Sequence, residues 1–426
     1  MNIFWLILYN GIFYPLIVFA AFFLSIFASK LREGLIGRFQ STKQLKNYFS
    51  NYHYQNDIYW FHVASLGEFY QIKPIIEGLK KIKKSNMNFV SFSSPSGMNY
   101  ATSDAIDLKF YLPFDFPWSI RKALTLIKPK KIIFSIYDIW PNFLWSSKSY
   151  NIHLNIMAAK IGKYSIKSKP VVRNFYHNIY SLFDTIYTIS KDDEIRFKEF
   201  VNPQKKSIIS SLGNPRFDTV YNKAKDLLEE KPSILDRDQI IVVGSSHSQD
   251  DYHLIPALNN LMVNFPQLRI FHAPHEPSEN EINKIQNNYS IFGYDSIVLK
   301  DYNNLHLLSN RIIIIGKVGF LADLYWSSII TYIGGGFSTG IHNIMEPAIA
   351  SNPVVFGPKY QEFNEAEQIL KLGGGFCVED SNSIESTIKN LLKSSKLLKK
   401  ASKASLNIIT NNIGSSEKII NGILSD

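Results

Sequence analysis

The chain of 426 residues is long enough for two or three domains, and its hydrophobic fraction of 45% excludes an intrinsically disordered protein. Lysine and arginine outnumber aspartate and glutamate by 46 to 36, so nucleic acid, anionic lipid and phosphorylated substrates are the partners to consider. The single cysteine, Cys377, excludes an internal disulfide framework and is typical of a reducing compartment. Its surroundings (GGGFCVED) predict a buried strand residue rather than a nucleophile.

An uncharged apolar segment, Ile3 to Ala28, exceeds the roughly 20 residues that cross a bilayer. It lacks the basic n-region and the short apolar core of a cleaved signal peptide. Aromatic residues suited to a membrane interface are Trp5, Tyr9 and Tyr14. Basic residues that follow the segment, and so place the rest of the chain on the cytoplasmic side, are Lys30, Arg32 and Arg38. The sequence predicts a membrane anchor over residues 1–29, either a transmembrane helix or a monotopic helix bent at Gly11 and Pro15.

A strand and the turn after it supply the first candidate for catalysis. Ile58 to Ala64 predicts a buried strand, Ser65 to Glu68 a turn, and Phe69 to Lys84 a helix. Glu68 therefore lies at the carboxyl end of a strand, which is the edge of an α/β sheet where ligands bind. A helix-terminal charge that stabilises the fold by roughly 0.3–1 kcal/mol explains the same carboxylate equally well.

The strand–helix alternation continues through the first half of the chain. Further strands are predicted at 88–93, 132–137, 152–157 and 185–189. The loop Tyr137 to Asn142 (YDIWPN) follows one of them, and Asp138 is its only acid. Basic residues concentrated in this half are Lys73, Lys80, Lys81, Lys83, Lys84, Arg121, Lys122, Lys128, Lys130 and Lys131. A solvated helix face explains any single one, but together and near an anchor they predict a surface that attracts anionic lipid.

Pro215 and Pro232 flank a charged segment and indicate a domain boundary. Strands of the second half are predicted at 239–244, 268–273, 311–315, 329–333 and 353–356. Small or polar residues follow these strands, namely Ser245, Ser246 and His247 after the first and His275 after the second. We expect them to line one cleft.

Three glycines, Gly334 to Gly336, lie between a predicted strand and a predicted helix that begins near His342. Such glycines allow backbone amides to approach an anion, and the helix N-terminus adds a favourable dipole. His342 and Glu346 would share one helical face, where a carboxylate could accept hydrogen bonds from a ribose. Glycine-rich turns without a phosphate site are also common in α/β folds, and neither the dinucleotide fingerprint nor a GxxxxGK[ST] loop is present.

Four histidines raise the question of a metal site, namely His247, His272, His275 and His342. No HExxH motif or paired Cys/His spacing accompanies them, and few acids lie beside them. We therefore expect no metal. The GxSxG elbow of hydrolases is also absent.

Several motifs together resemble one family, the 3-deoxy-D-manno-octulosonic acid (Kdo) transferases of lipopolysaccharide synthesis. HVASLGE is similar to the family's HxxSxGE, YLPFDFPW to YLPxDxPW, YDIWPN to ExWPN, and GSSH to GSTH. GGGFSTGIHNIMEPAIASNPVVFGP is similar to GGSxxxxGGHNxxEPAxxGxPVxxGP. The resemblance implies an α/β protein with a GT-B fold, in which two Rossmann-like domains face a central cleft behind an N-terminal anchor. We place the acceptor domain at 30–222 and the donor domain, with its C-terminal helices, at 223–426.

The resemblance also implies an activity, the transfer of Kdo from CMP-Kdo to a lipid A precursor (lipid IVA-like) at the cytoplasmic face of the bacterial inner membrane. Glu68 matches the acid of HxxSxGE and is the expected base, and Asp138 is expected to orient the acceptor or share the proton transfer. Expected donor-binding residues are Ser245, Ser246, His247, His275, Gly335, Gly336, His342, Asn343, Glu346 and Asn364. The amides of Gly335, Gly336 and His342 would meet the phosphate, and Glu346 would hold the ribose. Because CMP leaves as a stable phosphate monoester, we expect no cofactor and no metal requirement.

Three departures from the family pattern bear on substrate detail. Ile136, Tyr137 and Asp138 stand where the family commonly has ETE, so only the second acid is kept and it is shorter. His275-Glu276 replaces an arginine-histidine pair, which removes the usual cationic contact to the donor. GGGF replaces GGS.

Two other functions fit the sequence. One is a GT-B glycosyltransferase that uses another sugar nucleotide, such as an N-acetylglucosamine donor; binding of CMP-Kdo rather than a UDP-sugar separates the two. The other is a membrane-tethered binding protein without catalysis. We expect no nucleic-acid partner, because nucleic-acid binding explains the charge but not the apolar segment and no recognition motif is present.

Overall fold

The computed structural model describes residues 3–51, 56–162, 165, 167, 169–202, 204, 206–230, 232–301 and 310–425. The chain divides into two compact units. The first comprises Met1–Thr219 and Gly414–Asp426, and the second comprises Val220–Ile413. The chain therefore passes between the units twice.

Eighteen α-helices lie within the described residues. They are α1 (Ile3–Leu8), α2 (Tyr14–Ser25), α3 (Ser29–Asn51), α4 (Leu66–Ile82), α5 (Pro95–Tyr100), α6 (Pro117–Ile127), α7 (Pro141–Ser149), α8 (Pro170–Tyr180), α9 (Lys191–Phe200), α10 (Arg216–Glu230), α11 (Ser248–Asn264), α12 (Glu279–Ser290), α13 (Leu321–Ser327), α14 (Met345–Ile349), α15 (Asn364–Leu372), α16 (Ser381–Lys393), α17 (Ser395–Thr410) and α18 (Ser415–Ser425). Helices α5 to α8 each begin with proline, whose fixed φ suits the first helical position and whose missing N–H is not needed there.

A seven-stranded parallel sheet forms the centre of the first unit. Its strands are β1 (Ile58–Val63), β2 (Met87–Phe92), β3 (Leu108–Tyr111), β4 (Lys131–Ser135), β5 (His153–Ala159), β6 (Thr185–Thr188) and β7 (Ile208–Ser211). Their order is β3-β2-β1-β4-β5-β6-β7, so the direction of strand addition reverses between β1 and β4. Every residue of β1, β2 and β4 is buried, because helices cover both faces of a parallel sheet. The five strands predicted in this half are confirmed, with ends that differ by about two residues or less.

The apolar N-terminal segment is helical, with one irregular turn. A π-helical turn, Tyr9–Phe13, separates α1 from α2, and Tyr9 O accepts the N–H of Tyr14. Pro15, in the first turn of α2, has no N–H and cannot donate a hydrogen bond to the preceding turn. This missing bond accounts for the π-helical turn at the predicted bend. By length and composition, Ile3–Ser25 is the one helix among the described residues that could cross a membrane.

Polar side chains on one face of this helix bind the body of the first unit. Tyr9 OH donates to Asp115 Oδ2 at 2.9 Å, and Tyr14 OH accepts the N–H of Asp115. Asn10 and Asn142 exchange side-chain amide hydrogen bonds of 2.8 and 3.1 Å. Apolar side chains exposed on the rest of the helix include Ile7, Ile12, Leu16, Phe19 and Phe23. The middle turns of the helix are therefore held against the protein, and its apolar face is left open.

Asp115 of the YLPFDFPW motif links the N-terminal helix to the loop before α7. Its carboxylate accepts the N–H groups of Asn142 and Phe143 at 3.0 and 2.8 Å, which are amides at a helix start without intrahelical partners. Burial raises the pKa of Asp115 to about 7, although these bonds and that of Tyr9 act to lower it. The motif's acid is thus a structural link that fixes the YDIWPN loop.

The last helix, α18, returns to the first unit. Asp218 of α10 accepts the N–H groups of Gly414 and Ser416 at 2.6 and 2.7 Å. The buried Lys131 donates its ammonium to Ile423 O at 2.6 Å, so it is not part of the expected basic surface. Isoleucines of α18 that pack in the same core as α4 are Ile419, Ile420 and Ile423. The expected donor domain of 223–426 therefore differs from the structure at this end, because these contacts hold α18 to the first unit.

The second unit contains another seven-stranded parallel sheet. Its strands are β8 (Ile240–Ser246), β9 (Arg269–Pro274), β10 (Ser296–Leu299), β11 (Ile312–Ile315), β12 (Ile330–Ile333), β13 (Val354–Phe356) and β14 (Gly375–Cys377). Their order is β10-β11-β9-β8-β12-β13-β14, which reverses between β8 and β12. The five strands predicted in this half are confirmed.

Candidate active site

The first candidate site lies where the strand order of the first sheet reverses, so that the loops after β1 and β4 diverge. Open α/β sheets bind ligands at such a position. Glu68 is in the first turn of α4. Its Oε2 accepts the N–H of Ala64 at 2.8 Å, and Ser65 Oγ accepts the N–H of Glu68 at 3.4 Å. Ser65 thus caps the helix, which begins at Leu66 rather than at the predicted Phe69, and the Glu68 carboxylate binds the amide of the residue before the cap.

Asp138 follows β4 and lies close to Glu68. The negative charge of Asp138 contributes to the raised pKa of Glu68. Asp138 Oδ2 is 3.1 Å from His62 Nε2 and accepts a short hydrogen bond from Ser93 Oγ. These partners come from β1 and from the turn after β2, so three neighbouring strand ends fix this carboxylate. The structure thus brings the two predicted catalytic acids together.

The two carboxylates have opposite pKa shifts. Burial raises the pKa of Glu68 to about 7; the N–H of Ala64 opposes this change, and the charge of Asp138 adds to it. Burial also acts to raise the pKa of Asp138, but the hydrogen bond and charge of His62, followed by Ser93 and Arg38, lower it to about 2. At neutral pH one group stays ionised while the other is poised between its two forms. Two carboxyl groups separated in this way suit proton transfer.

His62 was not among the residues predicted from the sequence, and it is fully buried. Its Nδ1 is 2.9 Å from Ser91 Oγ, which accepts the Nε1–H of Trp60 at 2.8 Å. Because indole can only donate, Ser91 Oγ accepts this bond, and its own hydrogen can go to His62 Nδ1 or to Phe61 O, which is 3.5 Å away. The signal in the sequence was a polar residue inside the buried run IYWFHVA.

The second candidate site lies at the reversal of the second sheet. His247 follows β8, His275 follows β9 and His342 follows β12. The Nε2 atoms of His247 and His342 are 3.0 Å apart. The ring of His275 stacks on that of His342, with a centroid distance of 4.4 Å, and is tilted against that of His247, with a centroid distance of 4.8 Å. Burial, followed by the nearby His275 and His247, lowers the pKa of His342 to about 4.

This three-histidine cluster can act in two ways. As N–H donors, the rings can bind an anion; as neutral ligands, they can bind a transition metal, because one ring nitrogen from each lies within 4.8 Å of the others. The spacing argument against a metal did not foresee this cluster, because its members come from three loops that are distant in sequence.

Of the two serines predicted to bind the donor, Ser246 points into the protein. It is buried, and its Oγ is 2.8 Å from Nε2 of the buried His272, which is also 3.1 Å from Asp251 Oδ1. Ser246 and His272 therefore form an internal network. Ser245 is half-buried and has a left-handed backbone, with φ of 56°, at the close approach to Gly334.

Asp250 holds the glycine-rich loop in place by accepting a hydrogen bond from its backbone. Asp250 accepts the N–H of Gly335 at 2.8 Å, and the N–H of His342 donates to Gly334 O at 3.1 Å. The expectation that the amides of Gly335 and His342 are available to a phosphate is therefore wrong for this structure. The glycines instead allow close backbone contact: a Cβ on Gly334 would lie 2.2 Å from Ser245 O, and one on Gly336 would lie 2.5 Å from Gly357 N.

The helix predicted from His342 begins at Met345, so His342 and Glu346 do not share a helical face. Asn343 Oδ1 accepts the N–H of Met345 at 3.1 Å, a local bond that holds the preceding residues outside the helix. Glu346 lies in the first turn of α14, where its charge, after burial, contributes to the raised pKa of Tyr325. Asn364 is the first residue of α15. Asn343 and Glu346 follow β12, and Asn364 follows β13, which places all three at the edge of the three-histidine cluster's sheet.

Comparisons with known proteins indicate the activity and the fold. A family model described as 3-deoxy-D-manno-octulosonic-acid transferase (kdotransferase) matches residues 34–219, which include Glu68 and Asp138. The chain is 28% identical over 354 residues to 3-deoxy-D-manno-octulosonic acid transferase of Rickettsia prowazekii, covering 81% of this chain and 74% of that protein. It is 27% identical over 344 residues to the Aquifex aeolicus transferase, covering 80% and 87%.

Among solved structures, UDP-GlcNAc 2-epimerase of Neisseria meningitidis superposes with a TM-score of 0.62 at 15% identity, over 87% of this chain and all of that one. This likeness concerns the fold and agrees with the two-unit GT-B class predicted from the sequence. The family model and these relatives are all Kdo transferases, so this chain is similar to that family, and it is a glycosyltransferase.

Proposed function

We propose that this protein transfers Kdo from CMP-Kdo to a phosphorylated lipid A precursor, lipid IVA-like, at the cytoplasmic face of the bacterial inner membrane. The observation that carries the proposal is Glu68, a carboxyl group with a pKa of about 7 beside an ionised Asp138 at the sheet reversal. The similarity to Kdo transferases supports the transfer of Kdo. The chemistry of the two candidate sites is compatible with a nucleotide-sugar donor and a hydroxyl acceptor.

On the acceptor side, Glu68 acts as the base. It takes the proton of an acceptor hydroxyl as that oxygen bonds to the anomeric carbon of Kdo, a contribution of typically 10²–10⁴-fold. The bond from the same carbon to the phosphate oxygen breaks, and its electron pair leaves with CMP. Asp138, positioned by His62 and Ser93, stays ionised and keeps the proton affinity of Glu68 high enough to accept the proton.

On the donor side, the three-histidine cluster supplies hydrogen-bond donors for the phosphate and the carboxylate of CMP-Kdo. It replaces the role that the sequence gave to the amides of Gly335 and His342, which are engaged within the protein. A neutral imidazole can donate one ring N–H to an anion without taking up a proton. Ser245 lies at the end of β8, and Gly336 and Asn343 lie on the loop that carries His342. Glu346 remains the candidate for the ribose, with Asn343 and Asn364 completing the pocket.

At the membrane, the N-terminal helix lies in one leaflet. Tyr9, Asn10 and Tyr14 occupy its middle turns and are hydrogen-bonded to the first unit. A spanning helix would place these residues near the bilayer centre, away from any cytoplasmic domain. The monotopic alternative therefore accounts for both the docked polar face and the exposed apolar face.

The test is a reconstituted reaction with the purified full chain, CMP-Kdo and a tetraacylated bisphosphorylated glucosamine disaccharide. We expect Kdo to appear on the acceptor, with the number of additions counted by mass spectrometry. UDP-N-acetylglucosamine serves as the competing donor. Transfer from the UDP-sugar instead would favour the other glycosyltransferase, and tight CMP-Kdo binding without product would favour the binding protein.

A further inference from the structure

A pocket of about 360 Å³ lies within the first unit between α2, α3 and the turn after β2. This volume is in the range of small-molecule sites. Its lining residues are Tyr14, Ile17, Val18, Ala21, Lys30, Leu31, Gly34, Leu35, Arg38, Ser93, Ser94, Pro95, Phe114 and Trp140. One wall is therefore the membrane-facing helix, and the opposite wall belongs to the loops of the candidate active site.

The chemistry of the pocket is that of a lipid site. Its walls are largely aliphatic and aromatic side chains, so a hydrocarbon chain gains free energy on entering. Two cations, Lys30 and Arg38, also line it, and the Arg38 guanidinium lies 4.9 Å from the centroid of the Trp140 ring. An apolar ligand that carries a phosphate satisfies both features.

The pocket adjoins the proposed acceptor site. Ser93 lines it and also donates to Asp138, and the charge of the lining Arg38 contributes to the low pKa of that carboxylate. Trp140 lies two residues after Asp138 in the YDIWPN loop. A molecule whose chain fills the pocket therefore places its polar head near the two carboxylates.

The pocket also adjoins the exposed apolar face of the N-terminal helix. Ile17, which lines it, is 50% exposed, and the nearby Leu16 and Phe19 are 60% and 72% exposed. A chain can thus pass from the bilayer to the pocket along an apolar surface without contact with water.

We propose that this pocket binds one acyl chain of the phosphorylated glycolipid acceptor, with its phosphate on Lys30 and Arg38, and so selects acylated acceptors. The inference rests on the proposed function, whose acceptor it describes. The helix that attaches the protein to the membrane is then also a wall of the substrate site.

Two neighbouring alanines of α2 provide a matched test. Ala21 lines the pocket, whereas Ala20 is exposed and lies outside it. Ala21→Trp should fill the pocket and lower kcat/KM for the tetraacylated acceptor at least tenfold, and leave kcat/KM for the fully deacylated disaccharide bisphosphate within about twofold. Ala20→Trp adds the same side chain to the same helix and should change neither value. Equal effects of the two variants would overturn the inference.

A second measurement does not depend on transfer. The acceptor carries a diazirine at the end of one acyl chain, and the full chain is irradiated in phosphatidylcholine nanodiscs. We expect labelling of the peptides with Ser93–Pro95 and Trp140, which lie outside the membrane helix, and at least tenfold less labelling in Ala21→Trp than in Ala20→Trp. Equal labelling of these peptides by a diazirine phosphatidylcholine would assign the pocket to bilayer lipid and overturn the inference. Labelling as expected without any Kdo transfer would refute the proposed function and leave the pocket assignment intact.

Discussion

The two units have the same kind of sheet, but the loops at the two reversals carry opposite chemistry. The first unit presents carboxylates, Glu68 and Asp138, and the second presents the three-histidine cluster. Carboxylates accept protons, whereas imidazole N–H groups donate hydrogen bonds to anions. The comparison shows that the fold determines where the loops meet, and that a few side chains at the meeting point determine which half of a transfer reaction each unit can serve.

The largest expected effect comes from removing the proton acceptor of the first unit. Glu68→Gln should lower kcat by about 10²–10⁴-fold, because the amide cannot take a proton, while it still accepts the N–H of Ala64. CMP-Kdo binding, measured by calorimetry, should not change, because the donor is assigned to the second unit. Glu77→Gln on the same helix is the control. A folded Glu68→Gln enzyme with near-normal turnover would contradict the role of Glu68 as the base and, with it, the division of roles between the two units.

The pH dependence sharpens the same comparison. The pKa of Glu68 is raised to about 7 and its ionised form is the base, so log kcat/KM should rise with pH up to about 7 and then level off. A carboxyl group with a raised pKa binds its proton more tightly in the folded state. The free energy of unfolding should therefore fall as pH rises from about 4.5 to 7, and Glu68→Gln should make this fall smaller but not abolish it, because the pKa of Asp115 is also raised to about 7. A rate profile that is flat below pH 7 would contradict the role of Glu68.

The second unit can be tested by restoring the charge that the family pattern has at His275. His275→Arg should tighten CMP-Kdo binding about tenfold near pH 8, where an ordinary imidazole is neutral and a guanidinium is not. Tyr252→Arg, an exposed position of the same unit, adds the same charge elsewhere and should leave binding unchanged. Weaker binding by His275→Arg would contradict the assignment of the donor phosphate to the three-histidine cluster.

The smallest expected effect concerns metal. If the cluster binds the donor as a set of hydrogen-bond donors, excess EDTA should change the rate of Kdo transfer by less than about twofold. Added Zn²⁺ should inhibit, because three converging imidazoles are a ready ligand set. A strict metal requirement, restored by a divalent ion after chelation, would make the cluster a metal centre instead.

The central strands of both sheets could be predicted from the sequence, but the edge strands could not. Runs such as Ile330–Ile333 are buried on both faces and must be apolar throughout. The strands at the four sheet edges are β3, β7, β10 and β14. An edge strand pairs on one side only and needs no continuous apolar run; three of the four were not predicted, and the fourth was indicated only by Cys377.

The candidate sites follow a similar rule. Glu68 and Asp138 could be found because each follows its strand directly and belongs to a motif. His247, His275 and His342 were also predicted to bind the donor, but their close clustering could not be predicted, because it depends on which strands become neighbours and sequence spacing does not contain that information. The use of the Gly335 amide by Asp250 was also hidden, since a glycine-rich turn has the same pattern whether its amides face a ligand or a buried carboxylate.

The return of α18 to the first unit has a consequence for how the protein is made. The core that Ile419, Ile420 and Ile423 complete beside α4 stays open until nearly the whole chain has left the ribosome. The second unit, encoded between the two parts, can form its own sheet earlier. A fragment that ends at Thr219 would expose that apolar groove to solvent, so it is a candidate for aggregation or chaperone capture rather than an independent acceptor module.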